Sequence, residues 1–139
     1  MVTYVLDASA MLRFLDQEAG SERVGIVLAE YLSGRAHAAI SALHWGEVVG
    51  VLYKRSSAGG SSLAINKLRA LNLQVIAATS TRAEASALLK ADLRIPYVDS
   101  FGVQLAAELL DAVLITADFD TKPAEHLIRI EHLPLKPKP

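Results

Sequence analysis

The sequence predicts an α/β fold, one domain with a mainly parallel central sheet of about five strands and helices packed on it. Three observations carry that reading. Short apolar, β-branched runs alternate with segments of helical periodicity along the chain. The first run, Val2-Thr3-Tyr4-Val5-Leu6, has the character of a strand buried on both faces. Two of the runs end beside an acid, Asp7 and Asp118, and in parallel sheets sites lie beyond the carboxyl ends of the strands.

The bulk composition agrees. The chain has 139 residues, 52% of them apolar, enough for one self-sufficient core. Mean hydropathy is +0.30, which excludes a disordered chain. No apolar run reaches the roughly eighteen residues of a membrane helix. No secretory signal is visible at the N-terminus. The chain has no cysteine, so neither disulfides nor thiolate metal sites are available, and the cytoplasm is the expected location. A net charge of −1 excludes a protein that grips nucleic acid by bulk positive charge, though not an enzyme acting on it.

Taken in order, residues 3–7 are expected as the first strand and residues 10–16 as the first helix. Ser21 caps a second helix to Leu32, with Val24, Val27, Leu28 and Tyr31 at helical spacing and Gly34 at its stop. A short strand follows over His37–Ile40, and a helix runs from Ser41 to about Arg55. Ser56–Ser61 is turn-rich and expected to be flexible. A helix over 62–71 leads into a strand over 73–77. Thr81 and Glu84 form a capping box for a helix to Leu93. Residues 94–97 break the pattern before a helix from Val98 or Asp99 to Leu110. Ala112–Thr116 is the fourth strand, followed by an acid-rich turn, and residues 127–130 are an expected edge strand. The domain is expected to span 1–134, with 135–139 a disordered tail.

Four acids fall where such a sheet would gather them. Asp7 follows the first strand; helix capping explains it equally well when it is taken alone. Glu47 shares a stripe with Leu43, Gly50, Val51 and Lys54, a mostly apolar face on which an ionised side chain needs a cation or a salt bridge, for example to Lys54 or Arg13. Asp99 opens its helix, where the dipole alone would favour it. Asp118 and Asp120 follow the fourth strand and are alternatively caps for the next short helix, Asp120 the more readily. Together, the acids would repel one another without a cation. Oxygen ligands with no Cys and no His close in sequence suit Mg2+ or Mn2+ rather than zinc. The chemistry indicated is metal-assisted phosphoryl hydrolysis.

At this point the chain resembles the PIN-domain nucleases and, within them, VapC-type toxins. The likeness rests on Val5-Leu6-Asp7-Ala8-Ser9-Ala10 and on Ser41 with Glu47 six residues on. It continues through Ile95-Pro96-Tyr97-Val98-Asp99-Ser100 and Leu114-Ile115-Thr116-Ala117-Asp118-Phe119-Asp120. It implies a small α/β/α sandwich that cleaves RNA with Mg2+ or Mn2+. The family roles fall on Asp7, Glu47, Asp99 and Asp118 as metal-binding acids, with Thr116 and Ser9 holding them by hydrogen bonds. Asp120 matches an auxiliary acid, a candidate for serving a second ion. The resemblance also implies a homodimer restrained by a VapB-type antitoxin. There are departures: the aromatic that commonly follows the last acid is replaced by Thr121, Phe119 lies between the two acids, and Ser100 and Gly102 stand in the helix after Asp99.

Two other enzyme or binding classes fit less well. A phosphatase of the aspartyl-phosphate type usually wants a second acid two residues after Asp7, and that position is Ser9. A non-catalytic scaffold of the same fold predicts loss of acids, and none is lost. A housekeeping RNA-processing nuclease would look the same as a toxin.

Overall fold

The computed structural model describes residues 1–55 and 60–138. Five strands, β1 (Thr3–Leu6), β2 (His37–Ser41), β3 (Gln74–Ile76), β4 (Ala112–Thr116) and β5 (Arg129–His132), form one sheet in the order β3-β2-β1-β4-β5. Every neighbouring pair is parallel. Among the described residues six helices connect them: α1 (Ala8–Leu15), α2 (Ser21–Leu32), α3 (Ala42–Arg55), α4 (Gly60–Ala70), α5 (Ser80–Leu93) and α6 (Tyr97–Glu108). A 3-10 helix, Phe119–Ala124, leads from β4 towards β5. The mainly parallel sheet expected from the sequence is thus wholly parallel.

The alternation of β1 sorts the core. Tyr4 and Leu6 face one layer, with Met11 of α1, Val24 and Val27 of α2, Val48 of α3 and Leu68 of α4. Val5 faces the other, with Ile95 from the loop before α6, Val103, Leu105 and Ala106 of α6 and Leu114 of β4. Val5 and Leu6 are fully buried, each worth about 1.5–3 kcal/mol of burial free energy. Chain order runs outward from β1 through β2 to β3, then returns to the other side of β1 for β4 and β5. The carboxyl ends of β1 and β4 therefore flank the switch point, the crevice where parallel sheets place their sites.

α6 is buried continuously from Ser100 to Ala106, because it is covered by the sheet, α3 and α5 at once. Gly102 permits that depth: a Cβ there would stand 3.3 Å from Leu114 Cδ1 and 3.4 Å from His44 Cε1. It is a close-packing position. At the entry to α2, Gly20 adopts φ +89 and lies where a Cβ would come 2.9 Å from Leu133 Cβ. Gly20→Ala is therefore expected to destabilise the protein by about 1–3 kcal/mol, read as a lower urea midpoint at unchanged slope. A midpoint equal to wild type would refute the steric argument.

Several boundaries differ from expectation. α1 starts at Ala8, two residues early, because Asp7 caps it. α5 is capped by Thr79, whose hydroxyl accepts the Arg82 N–H at 3.2 Å, so the expected Thr81–Glu84 box is not its start. α6 begins at Tyr97, directly after Pro96, whose fixed φ suits a helix entrance. β5 is displaced to Arg129–His132, with Leu127 exposed before it. The turn-rich stretch expected at Ser56–Ser61 lies, up to Gly59, outside the described residues. Among the described residues no helix is long and apolar enough to cross a membrane.

Candidate functional site

At the end of β1 the chain turns straight into α1, and Asp7 makes that turn. Its Oδ1 accepts the Ala10 N–H at 2.9 Å and the Ser9 hydroxyl at 2.6 Å, and its Oδ2 accepts the Thr116 hydroxyl. The capping reading and the site reading are both true of this residue. Ser9 and Thr116 do more than orient it. Ser9 Oγ accepts the Ala117 N–H, and Thr116 Oγ1 accepts the Asp118 N–H, each at 2.9 Å. Two hydroxyls thus key the end of β4 onto the end of β1, with Asp7 as the common acceptor. Thr116 is fully buried. Thr116→Val would strip a partner from both Asp7 and the Asp118 N–H. An expected loss of about 1–3 kcal/mol follows, measurable by chemical denaturation. A stability equal to wild type would show that the hydroxyl is replaceable.

The same loop carries Asp118, which caps the 3-10 helix by accepting the Asp120 N–H at 2.9 Å. Of the two acids, Asp118 and not Asp120 is the cap. Asp99 reaches them from the first turn of α6, and one carboxylate oxygen from each of Asp99, Asp118 and Asp120 lies within 4.8 Å of the other two. The crowding shows in the protonation of Asp99. Its pKa is pushed up to about 7, first by burial, then by a hydrogen bond with Asp118 and by the charges of Asp118, Asp7 and Asp120. A helix N-terminus would pull it the other way, and it loses. Asp7 is beside this group without being part of the tight trio. An all-oxygen set of three carboxylates held this close fits a hard divalent cation.

Glu47 stands differently. The buried stripe of α3 is His44, Val48 and Leu52, while Glu47, Gly50 and Lys54 are exposed. The stripe expected to face the core or a cleft is therefore the outer one. Nor does Arg13 pair with Glu47, since its guanidinium is buried and donates to the carbonyls of Ala19 (2.8 Å) and Pro134 (2.7 Å). Glu47 still lies near enough for its charge to be felt at His44, together with those of Asp7 and Asp118.

His44 is the residue that sequence reasoning passed over. It is 1% exposed, and neither ring nitrogen has a hydrogen-bond partner among the described residues. Burial drives its pKa below the usual value, opposed by the three carboxylates, so the ring is neutral at pH 7. The available signal was its spacing, four residues before Val48 and eight before Leu52 on one face. Trp45, beside it, packs against the first core layer.

The PIN-domain family model matches residues 4–126. This chain belongs to the PIN-domain family. The PIN fold is seen also in solved structures. A chain of the Rickettsia felis VapBC2 structure, bound to a DNA fragment from its promoter, superposes with TM-score 0.73 at 18% identity, covering 96% of this chain and 100% of that one. DNA-bound VapBC from Salmonella typhimurium gives TM-score 0.67 at 18% identity, over 95% and 98% of the two chains. VapBC-5 of Mycobacterium tuberculosis, described as a member of a family of toxin–antitoxin systems, gives 0.60 at 15% identity, over 96% and 98%. No curated protein sequence matches at a significant level. The resemblance to the PIN-domain family read from the four motifs is borne out, as is the α/β class.

Proposed function

We propose that this PIN-domain protein is a Mg2+- or Mn2+-dependent endoribonuclease, the toxin of a toxin–antitoxin pair. One observation carries the enzyme reading. Asp99, Asp118 and Asp120 converge at the switch point of a parallel sheet, beside an Asp7 locked by three hydrogen bonds, and burial and mutual charge keep Asp99 from ionising normally. The structural likeness to VapBC complexes supports the toxin role and a VapB-type antitoxin as partner. A homodimer and a cytoplasmic location belong to the same reading.

The residues divide the work. Asp99, Asp118 and Asp120 would hold the cation, and Asp7 would complete the negative field from the β1 end. A divalent cation held there supplies charge neutralisation and a more acidic water for attack on a phosphodiester. Ser9 and Thr116 keep Asp7 and the Asp118 backbone in fixed relation, so no reorganisation is needed when substrate arrives. Asp99, with its pKa near 7, is able to carry a proton at its carboxylate in the unliganded site. Glu47, exposed on α3, adds charge from the rim.

The deciding experiment incubates purified protein with total RNA in Mg2+ or Mn2+, in chelator, and as Asp118→Asn. Cleavage at discrete sites that needs the metal and the acid is the expected result. A folded, partner-free protein that binds no divalent ion would overturn the reading. Co-expression with the adjoining upstream reading frame, if that encodes a small DNA-binding protein, tests the antitoxin assignment through suppression of cleavage.

A further inference from the structure

Phe119 sits between Asp118 and Asp120 and is 41% exposed, an unusual place for an apolar side chain. Its ring is stacked on His132, with centroids 4.7 Å apart and planes 9° from parallel. His132 stands at the end of β5, largely buried, with its Nε2 3.3 Å from Glu125 Oε1 but not hydrogen-bonded to it. The stack leaves Phe119 backed by a second ring, while nearly half of its own surface stays in solvent.

Two clefts meet at this ring. One, of about 400 Å3, runs from Phe119 and Asp118 past Ser9 to Arg55 and Lys136. The other, of about 480 Å3, runs from Phe119 and Asp120 past Pro96 to Arg94. Each is therefore lined both by an acid of the carboxylate group and by cationic side chains. Arg55 and Lys136 are at present engaged by Asp16 and Glu18, both at 2.6 Å, in exposed pairs that exchange readily for another anion. The layout suits an extended polyanion crossing the acids, with a flat apolar face beneath it at the crossing. Bases of unpaired strands are held by stacking on such faces, and a duplex does not offer them.

We infer that Phe119 is a positioning residue for the substrate, its exposed face stacking on an unpaired nucleobase beside the phosphate presented to the acids, with the strand leaving through the Arg55–Lys136 cleft on one side and the Arg94 cleft on the other. This rests on the nuclease reading and adds to it the side chain that places a base beside the acids.

The test uses short single-stranded oligoribonucleotides carrying 2-aminopurine at successive positions, with Ca2+ in place of Mg2+ to prevent turnover. Wild type is expected to quench one position strongly. Phe119→Leu, which keeps an apolar side chain against His132, should lose that quench and bind about tenfold more weakly. Phe119→Trp should restore both, a rescue that a packing role would not produce. A double-stranded version of the same oligonucleotide should bind more weakly and show no Phe119 dependence. Equal quench and affinity in Phe119→Leu and wild type, with RNA bound by both, would overturn the stacking role and leave the nuclease reading standing. Failure of every variant to bind RNA, with circular dichroism showing them folded, would overturn both.

Discussion

Asp7→Asn is expected to lower metal-dependent RNA cleavage by at least about a hundredfold while leaving the fold close to wild type. The two halves of that expectation have separate causes. Asparagine keeps an oxygen where Asp7 Oδ1 accepts the Ala10 N–H and the Ser9 hydroxyl, so the cap on α1 survives. It places an amide where Oδ2 accepted Thr116, and the Thr116 hydroxyl has another acceptor in reach, the Asp118 carbonyl at 3.4 Å. What disappears is one negative charge from the group that a cation would bind. Asp7→Ala is the informative companion. It removes the cap, worth about 1 kcal/mol, and leaves two buried hydroxyl contacts unmade, at about 1–3 kcal/mol more. Urea denaturation should therefore separate the variants while activity does not. If Asp7→Asn cleaved as wild type does, Asp7 would be a structural cap only, and the field at the switch point would be set by the other acids.

How much of this was legible before the structure follows from which residues carry local signals. The sheet and its carboxyl-end acids were legible because β1 and β4 are uninterrupted apolar runs that stop at Asp7 and just before Asp118. Strand order was not, since pairing of β1 with both β2 and β4 is a non-local fact. β5 was misplaced by two residues because Leu127 and Ile128 look like a strand, whereas the register with β4 begins at Arg129. Thr79, Ser80 and Thr81 all suit a cap, and only the entry geometry of α5 chooses among them. The face of α3 was misread because Leu43 and Val51 form an apolar stripe rivalling that of Val48 and Leu52. Counting His44 as apolar would have tipped the choice, since its burial depends on the room left by Gly102, on a helix far away in sequence. The neighbourhood of Asp99, Asp118 and Asp120 was legible as a set and not as a geometry. Asp120 stands in the tight group and Glu47 outside it.

That geometry has a pH signature whose sign is fixed. Asp99 has a folded-state pKa of about 7, raised from 3.8. Below the lower value folded and unfolded chains are both protonated, and the group is neutral towards pH. Between the two values the folded protein holds a proton that the unfolded chain has lost, so stability falls as pH rises through that window. The metal-free protein should accordingly show a melting temperature that declines from about pH 5 to pH 7.5, through this group. A divalent cation reverses the slope, because it binds the ionised carboxylates and must displace the proton to do so. The stabilisation by Mg2+ or Mn2+ is thus expected to be small at pH 5 and to grow steadily to pH 8. Asp99→Asn should do two things at once. It removes the buried charge, raising the metal-free melting temperature at pH 8, and it removes a ligand, shrinking the shift on adding metal. Sites that crowd like charges for function give up stability to do it, and relief of that crowding in an inactive variant is the expected mark of a metal centre. A metal-free melting curve unaffected by Asp99→Asn at pH 8, together with an undiminished metal shift, would mean that Asp99 neither strains the empty site nor holds the ion.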